Sequence, residues 1–186
     1  DYIPTLPDHH THSLRQILAN RSGIGHYPAY DVNAVQYDTA LAAAQTFWNT
    51  DSNSGMPGTQ LVYTPGTACI YSTHGHTVLG AALEGATGQS MGNIIEDELS
   101  APFGLPTMQV EDRGDGDANR SKLYDEDNDE VNADNISWKV LGGGMEASVY
   151  DMMRFGMKVI NGSIINGDSL TELQQVPAPT TCSDPN

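Results

Sequence analysis

Basic side chains are scarce in this sequence: 8 Lys and Arg stand against 24 Asp and Glu, for a formal net charge of −16. A surface of that sign is repelled by phosphate backbones and anionic lipid headgroups, which argues against nucleic acid and membrane surfaces as partners. Only 3 of the 8 are lysines. With abundant Asp, Asn, Thr and Gly this suits a secreted or salt-adapted protein, although a plain solubilising surface accounts for it slightly better. Long apolar runs are missing too, and none approaches the roughly 20 residues that a membrane span needs. No basic, apolar, small-residue leader opens the chain, so any targeting segment is expected to have been removed or to belong to a missing N-terminal part. Of 2 cysteines, Cys69 falls in the expected core and Cys182 in a Pro/Thr/Ser-rich tail. Two free or separately buried thiols are expected rather than a pair.

What is present is a mixture of helical and extended signals. The 186 residues, 38% of them apolar, suffice for one domain that buries roughly 70% of its unfolded surface. Residues 1–12 are Pro- and His-rich and read as a loop. His9, His10 and His12 offer imidazoles to a metal, but no Cys or Glu stands at ligand spacing, and an exposed loop or a purification remnant is the plainer reading. Ser13 with Gln16 predicts a capping box on a short helix whose Leu14, Ile17 and Leu18 turn inward. Gly23 and Gly25 break that helix. His26 reads as lining a cleft or, more readily, as a buried structural histidine before the Tyr27-Pro28 anchor. Tyr37 to Asn49 predicts an amphipathic helix with Leu41, Ala44, Phe47 and Trp48 on one side, ended by a polar turn over residues 51–58. Ser90 to Ala101 predicts another, with Ile94, Ile95 and Leu99 inward and a stop at Pro102.

Between Glu111 and Asp134 lie ten acidic side chains. Asp125, Asp127 and Asp129 have the spacing of the first three ligands of a calcium loop, but Glu130 stands where Gly is needed and Ile136 where the closing Glu belongs. A solvated turn is therefore favoured over calcium. Gly142-Gly143-Gly144 permits close backbone approach to a ligand or a neighbouring helix. Ser148 caps the next helix, with Asp151 in its first turn and Met152, Met153, Phe155, Val159 and Ile160 as its core face. Asn161-Gly162 and Asn166-Gly167 mark turns, Asp168 starts a last short helix, and residues 177–186 read as a frayed tail. Asn-x-Ser sequons at Asn20, Asn119, Asn135 and Asn161 matter only in a eukaryotic secretory route.

The chain is organised around Pro65 to Gly88. Pro65-Gly66 is a turn and Cys69-Ile70-Tyr71 a short extended run. The helix that follows puts Val78, Leu79, Ala82, Leu83 and Ala86 on one apolar stripe and ends at Gly88. Its small residues Gly75, Gly80, Ala81 and Gly85 admit close neighbours. Tyr71-Ser72-Thr73 sits at the junction. A phenol beside a helix N-terminus feels the positive end of the dipole, which favours the phenolate and makes Tyr71 a candidate proton acceptor. A packed tyrosine with one hydrogen bond is the plainer alternative.

Pro65-Gly66-Thr67, Ser72-Thr73, Leu79-Gly80 and Thr87-Gly88-Gln89 together resemble the middle of the serine beta-lactamase and penicillin-binding-protein-like hydrolases. Three further stretches match in the same order. Residues 13–27 resemble the family's first helix and its Ser-Gly-Ile turn, and Pro102-Phe-Gly-Leu-Pro106 resembles its Pro-Leu-Gly-Met element. Gly142 to Ser148, with Asp151, Arg154 and Phe155, resembles its Gly-Gly, Ser-Thr, Asp-Leu, Arg-Phe helix. The resemblance covers almost the whole chain. It is nearest to the LACTB-type branch, the mitochondrial serine beta-lactamase-like protein and its bacterial relatives, on Gly25-His26-Tyr27, Tyr71-Ser72-Thr73, and Asp134-Asn135 ahead of the triple glycine.

The resemblance implies that Tyr71 is the tyrosine of the family's Tyr-x-Asn motif, which helps to take the proton from a serine nucleophile. Thr73 stands where Asn is usual and would orient the substrate or a lysine. Gly142, Gly143, Gly144 and His26 would line the substrate cleft, and Arg120 to Val131 would be a hairpin with a solvated acidic tip. The family's Ser-x-x-Lys is missing, since no serine has Lys three residues on. In the family that lysine lowers the barrier to deprotonating the serine. Lys-Thr-Gly and His-Thr-Gly are missing as well; Thr73-His74-Gly75 and His12-Ser13-Leu14 have the wrong order or lack the glycine.

In the family these motifs flank the region matched here. The chain is thus read as an internal fragment, one domain or part-domain over residues 1–186. Its expected fold is the helix-dominated central region of the beta-lactamase/transpeptidase-like α/β (α+β) fold, with most of the antiparallel sheet missing. The implied parent is a serine hydrolase of peptidase, esterase or beta-lactamase type that cleaves a peptide, amide or ester through an acyl-enzyme, without metal or cofactor. Assembly into a homo-oligomer or filament is implied by the same likeness. This chain alone is expected to be inactive, because nucleophile, lysine and oxyanion strand are missing. A secreted or periplasmic setting is favoured, or the mitochondrial intermembrane space by resemblance. The rival readings are a non-catalytic assembly protein with a hydrolase-like fold and, on Asp125 to Asp129 alone, a calcium module.

Overall fold

The computed structural model describes residues 2–3, 5–26, 37–48, 61–112, 119–131 and 135–175. It is a helix-rich α/β fold with small antiparallel sheets. The centre is α3, Thr73–Thr87, entered through Ser72, whose hydroxyl accepts from Gly75 N at 2.8 Å, and left through Gly88 in the left-handed conformation (φ 70°). A glycine ends the helix there because the left-handed backbone carries no Cβ penalty. The first ten residues of α3 are nearly all buried, His74, Thr77, Val78, Ala81 and Ala82 among them. A helix enclosed on every side needs small residues where its neighbours cross. A Cβ at Gly80 would stand 3.1 Å from the Ala40 Cβ of α2, Ala40–Trp48, so the close α2 to α3 contact depends on that glycine.

Helix α1, Leu14–Leu18, carries the expected capping box between Ser13 and Gln16. Only its Ile17 is buried, while Leu14 and Leu18 are exposed. Five residues make little more than one turn, which presents a single side chain to the core, so the inward triplet is corrected to one residue. Ile17, Ile24, Ala40, Ala44, Val78, Leu79, Met91, Ile95 and Val140 form one core cluster, with Ile3 of the N-terminal segment among them. Each large aliphatic side chain in it contributes about 1.5–3 kcal/mol of burial. The N-terminal segment is an exposed loop at Tyr2, Thr5, Asp8, His9 and Thr11, as expected, but it is pinned to the body of the chain by the buried Ile3 and His10.

Ser90 caps α4, Met91–Ile95, which continues as a π-helical turn over Glu96–Ser100 and then α5, Ala101–Phe103. The expected single helix is therefore interrupted. The Ser100 hydroxyl, hydrogen-bonded to the Met108 carbonyl, ties the widened turn to the next strand. Strand β1, Gln109–Val110, pairs antiparallel with β4, Met145–Glu146, in the register Gln109 to Glu146 and Val110 to Met145. Strands β2, Leu123–Tyr124, and β3, Glu130–Val131, form a separate hairpin. Between β3 and β4 a 3-10 helix, Ser137–Gly142, packs against α3 and buries Trp138 and Val140.

Helix α6, Val149–Ile160, is anchored at its start. Ser148 caps it, Thr107 bridges Ser148 and the buried Asp151, and Arg154 reaches the Gly104 carbonyl. Its expected core face is a correction: Met152, Met153 and Ile160 are 60%, 53% and 76% exposed, and Phe155 and Val159 are half-buried. An amphipathic helix buries its stripe only where another layer covers it, and the described elements of this chain do not supply that layer. A short α7, Gly167–Leu173, follows. Cys69 is disulfide-bonded, which overturns the expectation of a free thiol at this position. Cys182, Tyr27-Pro28, the turn at 51–58, the tail at 177–186 and the side chains of Phe47 and Trp48 lie outside the described residues. Among the described residues no helix is long and apolar enough to cross a membrane.

Candidate active site

The site is built where the loop after α1 meets the N-terminus of α3. Asn20 takes a left-handed conformation (φ 54°) and turns the chain back. Its carbonyl then accepts from Ile70 N at 2.9 Å and its side-chain oxygen from Ser72 N at 3.1 Å. The Ser72 hydroxyl, besides capping α3, donates to the Gly25 carbonyl at 2.9 Å. Fixing Gly25 in this way delivers the next residue, His26, to the next residue of α3, Thr73. Their side chains meet with His26 Nε2 and Thr73 Oγ1 3.0 Å apart.

Tyr71 joins the same group. The Thr73 hydroxyl donates to the Tyr71 phenol oxygen at 3.4 Å, and the His26 and Tyr71 rings lie with centroids 5.4 Å apart, tilted by 31°. Thr73 is buried at 7% exposure, whereas Tyr71 is 58% exposed, so the group has a fixed inner member and an accessible outer one. His26 is exposed, which corrects the favoured reading of it as a buried structural histidine. The cause is the Ser72 to Gly25 hydrogen bond, which holds the loop at the rim of the helix and not beneath it.

The three glycines have three different surroundings. A Cβ at Gly142 would lie 2.7 Å from Thr73 Cγ2 and 2.9 Å from the Thr73 carbonyl oxygen, so this backbone rests directly on the start of α3. Gly143 (φ 131°) faces open space, and Gly144 backs onto the Ile136 carbonyl. Of the predicted group, His26, Tyr71, Thr73 and Gly142 are thus brought together. Gly143 borders the open side, and Gly144 closes the turn instead of the cleft.

Beneath the group lies His74, which the sequence offered only as part of the discarded Thr73-His74-Gly75 candidate. It is fully buried, and burial, with His10 and His26 nearby, pushes it from 6.5 down to about 3. His12 is pushed down to about 4 by burial and by His10 and His9, with His10 Nδ1 and His12 Nε2 3.0 Å apart. Both imidazoles are held neutral where an ordinary histidine begins to charge. The only available signal was the placement of His74 one residue into a small-residue helix. Asn20 was missed as well, although an asparagine just past a short helix is a left-handed cap candidate.

The acidic segment holds itself. Asp125 Oδ1 accepts from Asp127 N at 3.0 Å and Asp129 N at 2.9 Å across the hairpin tip. Among the described residues no group of three His, Cys, Asp or Glu is positioned for a metal ion.

Solved structures with this arrangement of elements include a beta-lactamase, penicillin-binding proteins and amidases. One is the octameric penicillin-binding protein homologue from Pyrococcus abyssi, at 17% identity and a TM-score of 0.70, covering 95% of this chain and 41% of that one. The beta-lactamase/D-alanine carboxypeptidase from Pseudomonas syringae matches at 18% identity and 0.68, over 94% and 46% of the two chains. The D-amino acid amidase from Ochrobactrum anthropi SV3 matches at 19% and 0.68, over 91% and 51%. These likenesses fix the fold. The chain spans about half the length of the solved structures it matches. The chain belongs to the Beta-lactamase family, whose model matches residues 1–181. No curated protein matches it.

Proposed function

We propose that the protein is part of a serine hydrolase that cleaves an amide or ester through an acyl-enzyme, and that these residues supply the tyrosine side of its site. The observation that carries this is the convergence of Tyr71, Thr73, His26 and Gly142 at the N-terminus of α3. The phenol oxygen is accessible, takes a hydrogen bond from Thr73, and stands beside the N-terminus of α3. A group so placed takes the proton of a serine nucleophile as that serine attacks the carbonyl. Thr73, in the position where the family has Asn, orients the substrate or the lysine, and His26 with Gly142 and Gly143 walls the cleft. The nucleophile and its lysine come from outside the 186 residues, so the chain alone does not hydrolyse. Relatives named as an amidase and a carboxypeptidase support amide substrates. Tyr71-Ser72-Thr73 supports a place in the LACTB-type branch. The Cys69 disulfide supports an oxidising setting, secreted or periplasmic, or the mitochondrial intermembrane space.

The test is Tyr71→Phe in the protein together with the segment bearing Ser-x-x-Lys. We expect kcat for an ester or D-amino acid amide to fall by about 10²- to 10⁴-fold, the usual worth of general acid–base catalysis. Unchanged kcat would remove Tyr71 from the chemistry.

A second reading, an assembly protein with a hydrolase-like fold, is favoured by one observation. The apolar face of α6 is exposed, with Met152, Met153, Met157 and Ile160 all more than half accessible. The octameric relative supplies a precedent for self-association.

A further inference from the structure

We propose that His26 is a positioning residue for Tyr71 that acts through Thr73, by deciding which way the single hydroxyl proton of Thr73 points. A threonine hydroxyl has one proton to give. Here it has two places to give it, His26 Nε2 at 3.0 Å and the Tyr71 phenol oxygen at 3.4 Å. When the imidazole carries its proton on Nε2, it donates to Thr73 and the Thr73 proton goes to Tyr71. When the imidazole carries its proton on Nδ1, bare Nε2 draws the Thr73 proton away, and the Tyr71 oxygen loses its donor. The first arrangement supports negative charge on the phenol oxygen, and the second withdraws that support.

Three features hold the switch in place. Thr73 is buried, so water seldom replaces either partner. Its methyl group lies against the Gly142 backbone, where a Cβ would stand only 2.7 Å from Cγ2, and the β-branched side chain is thereby kept in one rotamer. The backbone just before His26 is held by the Ser72 hydroxyl at the Gly25 carbonyl, and the His26 ring lies beside the Tyr71 ring. The directed chain is therefore His26 Nε2–H to Thr73 Oγ1–H to the Tyr71 oxygen. What the phenol oxygen then does rests on the hydrolase reading above, whereas the chain of hydrogen bonds stands without it.

Long-range ¹H–¹⁵N correlation spectra of imidazole-labelled protein at pH 8 read the tautomer directly. Nitration of Tyr71 by tetranitromethane, located by peptide mapping, reads the support given to its oxygen. We expect His26 as the Nε2–H tautomer. Thr73→Val should slow Tyr71 nitration about two- to twelvefold, the factor a hydrogen bond of ordinary net strength supplies. Thr73→Ser, which keeps the hydroxyl, should retain both readouts, and His26→Phe, which removes the competing acceptor and leaves the Thr73 proton to Tyr71, should keep nitration at the unmodified rate. An Nδ1–H tautomer in the unmodified protein overturns the proposal. So does a nitration rate untouched by Thr73→Val, or one that Thr73→Ser lowers as far as Thr73→Val, since packing would then be the cause. None of these readouts needs turnover. A failed relay leaves the Tyr71→Phe kinetics intact, and failed kinetics leave the tautomer result standing.

Discussion

Acidifying the protein through the range in which ordinary histidines charge should destabilise it well before its carboxylates protonate, and His74 is the reason. The imidazole is fully buried at the start of α3, and burial with His10 and His26 nearby lowers it from 6.5 to about 3. Below pH 6.5 the unfolded chain binds a proton at this position and the folded chain does not, so stability falls as pH falls. The loss begins near 6.5 and is complete only near 3. Each pH unit inside that window removes about 1.4 kcal/mol, so pH 5 costs about 2 kcal/mol relative to neutrality. His12, lowered to about 4, has the same sign, but it is partly exposed and solvent screening shrinks its share. Urea unfolding at pH 7, 6 and 5 measures the slope. His74→Gln should flatten most of it and His12→Gln a lesser part. A stability that does not change from pH 7 to 5, or a slope that survives His74→Gln, would refute the reasoning.

Four further outcomes follow from particular contacts. Gly142→Ala drives a methyl group into Thr73 and should cost about 1–3 kcal/mol in urea unfolding, the usual range for overpacking. Thr107→Val removes the hydroxyl at 2.7 Å from Asp151 Oδ2 and the bridge to Ser148, so α6 should loosen; we expect a loss of about 1–3 kcal/mol and faster amide exchange in its first turn. Arg120→Met breaks the two-pronged contact with Glu146 at 2.7 and 2.9 Å. Burial pushes that carboxylate up, but hydrogen bonds from Arg120 and Gln109 outweigh it, and the variant should lose about 1–3 kcal/mol with Glu146 titrating higher by NMR. Met152→Gln with Met153→Gln should lower binding of an apolar dye while leaving stability within about 0.5 kcal/mol, because both side chains are solvent-facing.

The parts of the fold that were legible in the sequence are those governed by local chemistry. The capping box of Ser13 and Gln16, the stop at Gly88 and the cap at Ser148 each involve residues within a few positions of one another. Burial was less legible because it depends on what lies opposite. Leu14 and Leu18 have the apolar character of core residues but sit on a helix too short to bury them, and Met152 and Met153 lie on a strongly patterned helix with nothing described across from it. For the site, Tyr71 and Thr73 could be singled out by the resemblance. The contact with His26 could not, since it is produced by Asn20 and Gly25, some 50 residues away from Ser72. The interruption of the helix at Glu96–Ser100 carried no composition signal, because a π-helical turn uses ordinary helix-forming residues.

The central claim is that these residues furnish the tyrosine side of a serine hydrolase site without its nucleophile. Its most direct test is to incubate the 186-residue chain with a generic ester and an acylating serine probe, following turnover and intact mass together. The account predicts no turnover and a mass that stays near 20.0 kDa. Hydrolysis abolished by Tyr71→Phe, or a stoichiometric acyl adduct on any serine of the chain, would contradict it.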